Sequence, residues 1–131
     1  MGAYSTYFDD KCLSYLLETA AALAVSTANP LATGAGIAEP SGNGYSRVSI
    51  ASAQFNTPAN GAVSNNAALS FPAATGTWGT ISYFMLMDAM TGGNLLAYGQ
   101  CLDASGNPTT KVINSGDILS MGAGSLVITQ V

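Results

Sequence analysis

Phe84-Met85-Leu86-Met87 is the strongest constraint in this chain. Four consecutive apolar residues cannot lie on a half-wet strand, where side chains alternate between core and solvent. Both faces of such a segment must be covered, which makes it a central strand. It sits within Thr77 to Gly99, which also holds the single Trp (Trp78), a Gly-containing turn at Asp88 to Asn94, and a second apolar run from Leu95 to Tyr98. Two such runs around a turn predict a β-hairpin, and a hairpin alone is marginal in water. Further strands or a helix must therefore pack against it.

The rest of the chain supplies them. Thr6 to Glu18 reads as the one helix: Thr6 with Asp9 matches a capping box, and Phe8, Cys12, Leu13, Leu16 and Leu17 recur at spacings of three and four. Ala20 to Thr27 is apolar but Ala-rich, which leaves helix and strand both open. Pro30 stops it, and Leu31 to Gly44 is an exposed, Gly-rich loop whose only carboxylate is Glu39. Tyr45 to Phe55 alternates and predicts a strand. Ala62 to Phe71 predicts another, with Asn65-Asn66 marking a bulge or bend. Lys111 to Ile113, Ile118 to Met121 and Leu126 to Gln130 complete about eight strands at spacings near 8 to 12 residues. The expected fold is mainly β: an antiparallel jelly-roll-like sandwich or barrel with one short N-terminal helix. One domain spans 1–131, with 1–19 as a helical arm and 20–131 as the sandwich.

Charge narrows the function. Charged residues make up 8% of the chain, against about 25% in an ordinary soluble domain. Such a weakly charged surface suits a protein packed against a neighbour. Lys11, Arg47 and Lys111 are the only cations, too few and too scattered to follow a phosphate backbone, so nucleic acid is not the expected partner. No apolar run is long enough to cross a bilayer, and no basic region precedes the Ala-rich stretch as a secretory signal requires, so synthesis and retention in a cytosol are expected. There Cys12 and Cys101 are small buried groups rather than a bridge. With no His, they form no metal motif.

The same missing His removes Ser-His and Cys-His nucleophile arrangements. Asp9, Asp10 and Glu18 belong to the helix, while Asp88, Asp103 and Asp117 sit in turns, where Asp bonds its own backbone. A glycosidase-like pair of Asp88 and Asp117, or a Ca²⁺ site using Asp103 and Asp117, lacks supporting spacing. No catalytic residue, metal or cofactor is expected. Arg47 predicts a structural ion pair with Asp88 or Asp117, or else with a partner's carboxylate. Trp78 is either core or a sugar-stacking platform. The helix is either a lid on the sheet or an arm that docks on a partner through Tyr4, Tyr7 and Phe8.

Gly44-Tyr-Ser-Arg47, Phe71-Pro72, Trp78-Gly-Thr-Ile81, Asp88-Ala-Met-Thr-Gly-Gly-Asn-Leu-Leu-Ala-Tyr-Gly99, Asn114-Ser-Gly-Asp117 and Leu126-Val-Ile128 together carry a resemblance. The set resembles a family of small virion proteins of tailed double-stranded DNA bacteriophages, commonly labelled tail fibre or hypothetical proteins. In size and strand pattern it is similar to jelly-roll cement (decoration) proteins of phage capsids. It departs at Ala20 to Ala28, where a β-branched and aromatic strand is expected. The resemblance implies no catalytic residues. It leads to the expectation of a non-enzymatic capsid cement protein, a homodimer or homotrimer bound to the major capsid protein on the virion surface and assembled in the bacterial cytoplasm. Its interface is expected at Tyr4, Tyr7, Phe8 and Arg47. The alternative is a tail-fibre or receptor-binding module that touches glycans through Trp78 or loop tyrosines.

Overall fold

The computed structural model describes residues 2–103 and 105–129. Within them the chain is mainly β, with one α-helix, α1 (Thr6–Thr19), and ten short strands: β1 (Ala22–Ser26), β2 (Val48–Ser49), β3 (Ala62–Ser64), β4 (Leu69–Ser70), β5 (Gly79–Ile81), β6 (Tyr83–Met87), β7 (Leu95–Gln100), β8 (Lys111–Ile113), β9 (Ser120–Met121) and β10 (Val127–Thr129). Every pairing is antiparallel, and the whole is sandwich-like.

The cap of α1 is Ser5, not Thr6. Ser5 is extended (φ −70°, ψ 159°) and its hydroxyl accepts the Phe8 N–H at 3.2 Å, while Thr6 is already inside the helix, so the expected Thr6–Asp9 box is not used. The apolar stripe is also shorter than its spacing implies. Leu13 and Leu17 are buried and Leu16 packs partly against the core, but Phe8 is exposed. Asp10 ties the helix down by accepting the Gly61 N–H at 2.9 Å.

The main sheet runs β2-β1-β6-β7. β6 is central, with Val25 opposite Phe84 on one side and Tyr98 opposite Met85 on the other. Leu23, Val25 and Leu86 face the main core, whereas Ala22, Ala24, Met85 and Met87 form a second, smaller core closed by Ile37 and Leu95. This is why neither face of Phe84 to Met87 is polar. The Ala-rich segment resolves as a strand buried at all five positions. Its alanines sit beside two long, adaptable Met side chains that fill the volume a β-branched residue would have taken.

The second layer is a bent ribbon. β3 and β4 are one strand interrupted at Asn65, pairing with β10 and β9 respectively. Asn65 is fully buried at the bend. Its Oδ1 accepts the Leu126 N–H at 3.0 Å, and its Nδ2 donates to the Ala67 and Gly122 carbonyls at 2.8 and 3.0 Å. The side chain thus replaces ladder bonds that the bend removes. β5 runs through Ser82 into β6 and pairs with β8.

Tyr45 to Phe55 is not the continuous strand that its alternation predicts. Only Val48–Ser49 pairs with β1, a 3₁₀ turn occupies Ser52–Gln54, and Phe55 then bridges to Asn65 beside β3. The segment crosses from one layer to the other, so it cannot stay in one ladder. Small residues at Ala51 to Ala53 permit the corner, where the Gln54 side-chain oxygen accepts the Ala51 N–H at 2.8 Å.

Asn65→Ala should lower stability by about 3 kcal/mol, because it strands a buried N–H and two carbonyls at once. Urea unfolding checks this, and a shift of the midpoint by less than a third of that cost would mean that water replaces the amide.

Candidate functional site

No described group of three or more His, Cys, Asp or Glu side chains could hold a metal. The turn carboxylates are occupied by their own turns. Asp88 accepts the Asn94 backbone and side-chain N–H groups at 2.6 and 3.0 Å, which hold its carboxyl below the usual value. Asp103 accepts from the Ser105 and Asn107 backbones, and Asp117 from Asn114.

Arg47 does not pair with Asp88 or Asp117. Its partner is Glu39, through Nε to Oε2 and NH2 to Oε1, both at 2.8 Å. The other arm of the guanidinium reaches the Asp88–Asn94 turn after all, donating to the Ala89 and Gly92 carbonyls at 2.8 and 2.7 Å. With 8% of its side chain exposed, Arg47 is committed within its own chain. Tyr45 completes the cluster by donating to Glu39 Oε2 at 2.5 Å. The same hydroxyl accepts the Val25 N–H at 3.4 Å, just where β2 has run out as a partner for β1. Burial alone would raise the Glu39 carboxyl, but the hydrogen bonds from Arg47 and Tyr45 and the Arg47 charge outweigh it and hold the group below its ordinary value. Burial, then Glu39's acceptance and charge, push the Tyr45 hydroxyl far up, so it stays a proton donor. Sequence pattern gives Glu39 no role beyond being the only carboxylate of its loop. The available signal was isolation: no other carboxylate lies between Glu18 and Asp88, and no other cation between Lys11 and Lys111.

Trp78 is core. It is 5% exposed, its Nε1 donates to the Asn43 carbonyl at 2.9 Å, and it packs edge-on to Tyr45 and Phe71. No face remains for stacking on a sugar. Cys12 and Cys101 are free thiols and only half-buried, with burial holding Cys101 in its neutral form.

What the fold does expose is the outer side of α1. Tyr4, Tyr7 and Tyr15 are 62%, 71% and 68% exposed and Phe8 is 48% exposed. Tyr4 meets Phe8 edge-on at 4.9 Å and the Lys11 ammonium lies 5.3 Å from the Tyr7 ring centre. Three of the four expected interface residues therefore lie together on one exposed aromatic surface, while Arg47 lies elsewhere. Together these rings form an exposed aromatic patch with the Lys11 ammonium beside it. A second feature is a cleft of about 1110 Å³ bordered by β7, β9 and β10.

The model of a family described as "Podophage GP4 fiber I protein gp80" matches residues 3–129. No curated protein matches the chain.

Glu39→Gln should lower stability by about 2 kcal/mol, less than for a fully buried pair because part of the carboxylate is wet. The pH dependence follows from the sign of the shift. A carboxyl lowered on folding contributes fully above its unfolded value, near 4.5, and that contribution fades as pH falls through the lower native value. Melting curves of the native chain should therefore lose stability below about pH 4.5 more steeply than those of Glu39→Gln, and parallel curves would remove this role.

Proposed function

The chain belongs to the Podophage GP4 fiber I protein gp80 family, a family of phage virion structural proteins, and on that premise we propose that it is a non-enzymatic subunit of a tail fibre. The observation that carries this reading is the match across residues 3–129, which takes in α1 and all ten strands. The geometry supports it in two ways. The turn carboxylates and Glu39 are engaged by hydrogen bonds within the chain, which leaves them poorly placed for acid–base work. The exposed rings of Tyr4, just before α1, and of Tyr7, Phe8 and Tyr15 on it offer a large apolar area with one cation, Lys11, beside it, a composition suited to an interface. The chain acts by adhesion, as a homotrimer or homodimer, with this face against a neighbouring subunit.

A capsid cement protein bound to the major capsid protein is the second reading, favoured by the low charge content of the chain, since a surface with few charges is cheap to desolvate against a shell. Trp78 supports neither, being buried.

A gold-labelled antibody against the chain, viewed on intact particles, separates the two: label on the tail supports the fibre, and label distributed over the head supports cement. Particles lacking the chain should keep their heat stability and lose adsorption if it is a fibre; the reverse pattern would transfer the role to the shell. Tyr7→Ser with Phe8→Ser should leave folding within about 0.5 kcal/mol, as expected of exposed positions, and reduce incorporation into particles at least tenfold.

A further inference from the structure

The ladder of strands in this molecule does not close. From β7 it passes through β6 and β1 to β2, turns the corner at Ser52–Gln54, and resumes where Phe55 and Asn56 pair beside β3, ending at β10. Among the described residues β7 is paired only with β6 and β10 only with β3. These two loose ends border the same cleft, whose wall includes Phe84, Leu96, Leu119, Met121, Leu126 and Ile128. Exposed strand edges are usually blunted by Lys, Pro or short length. Here the six-residue β7 reads Leu-Leu-Ala-Tyr-Gly-Gln, with neither charge nor Pro, and β10, Val-Ile-Thr, is short but likewise carries neither. Of the residues lining the cleft only Asp103 and Lys111 are charged, one of each sign, so an uncharged occupant fits.

The size of the opening fits one extended segment. A strand residue occupies a block of about 3.3 by 4.8 by 10 Å, roughly 160 Å³. A cleft of about 1110 Å³ thus takes about seven residues.

We propose that the segment Gly2–Ser5 of a second copy enters this cleft as an added strand between β7 and β10. Its Tyr4 ring lies on the apolar wall, and Tyr7 and Phe8 close over the rim formed by Leu102 and Val127. Gly2, Ala3, Tyr4 and Ser5 are all exposed and carry no charged side chain, and Ser5 already has strand-like angles. Leu102 and Val127 are exposed apolar residues that line the cleft. The area is sufficient: four extended residues present roughly 600 Å², and the exposed parts of Tyr7 and Phe8 add roughly 250 Å². Together they reach the roughly 800 Å² per partner of a standard stable interface. Donor and acceptor surfaces differ, so the exchange is either reciprocal, closing a two-fold dimer, or head-to-tail, closing a ring such as the trimer proposed above or extending as a filament. Strand addition supplies the backbone bonds that both loose ends lack.

This inference rests on the reading of the chain as a self-associating virion subunit, and its test can fail while that reading survives. The full chain carrying Ala3→Cys and Cys12→Ser retains the native Cys101, which lines the cleft. Mild oxidation should give thiol-reversible dimers, trimers and higher species on a denaturing gel, and peptide mass analysis should find residue 3 joined to residue 101. Cys12→Ser alone should give at least tenfold less. Joining only of residue 3 to residue 3, or no joining in a solution whose light scattering shows oligomers, overturns the strand addition and leaves self-association to another surface. A native chain that scatters as a monomer overturns both. As a second variant, Val127→Lys places a charge at the exposed cleft edge. It should reduce the scattering mass to that of one chain with an unchanged far-ultraviolet spectrum, and an unchanged mass would count against the proposal.

Discussion

Glu39 and Arg47 hold together the part of the molecule that its central strand depends on. β6 is apolar on both faces, so it is stable only while something covers Met85 and Met87. That cover is the loop between β1 and β2, whose Ile37 lies on the second core. A long loop of small residues has little apolar surface with which to hold itself down. The bidentate pair fastens it, since Glu39 lies two residues after Ile37 and Arg47 one residue before β2. The Arg47 bonds to Ala89 and Gly92 then pin the hairpin turn to the same point. One ion pair, less than a tenth exposed on its Arg side, thereby couples the loop, the main sheet and the turn.

Elsewhere the chain uses amides where other proteins use charges. The Asn65 side chain splices a broken ladder, that of Asn43 donates to the Thr77 carbonyl, and that of Asn94 donates to Asp88. Such joints fix geometry and leave no reactive group behind. They also keep the charge content of the chain low, which lowers the cost of removing its surface from water.

Local patterns were legible in the sequence wherever they were set by near neighbours. The central hairpin, the helix, the self-bonded Asp turns and the bend at Asn65 all follow from period and turn chemistry. What escaped were arrangements fixed by distant partners. Tyr45 to Phe55 alternates as a strand should, but two different neighbours, β1 and β3, claim its ends and force a corner between them. Arg47 pairs with neither turn carboxylate, Asp88 nor Asp117, because its partner Glu39 comes from a loop without a periodic pattern. Ser5 took the cap by a one-residue shift that propensity cannot resolve, because Ser and Thr serve nearly equally well. The cleft was invisible, since an unclosed ladder is a property of the whole chain and of no segment.

Local rigidity should differ sharply along the ladder. The amides of β6, with a strand on each side and side chains packed above and below, exchange with solvent deuterium only when the whole domain opens. In β7 and β10 the amides that face the one paired neighbour are protected by its bonds, and those on the other edge should exchange through small fluctuations. The backbone is therefore held most tightly at β6 and yields along the line of β7 and β10, the two strands that border the cleft.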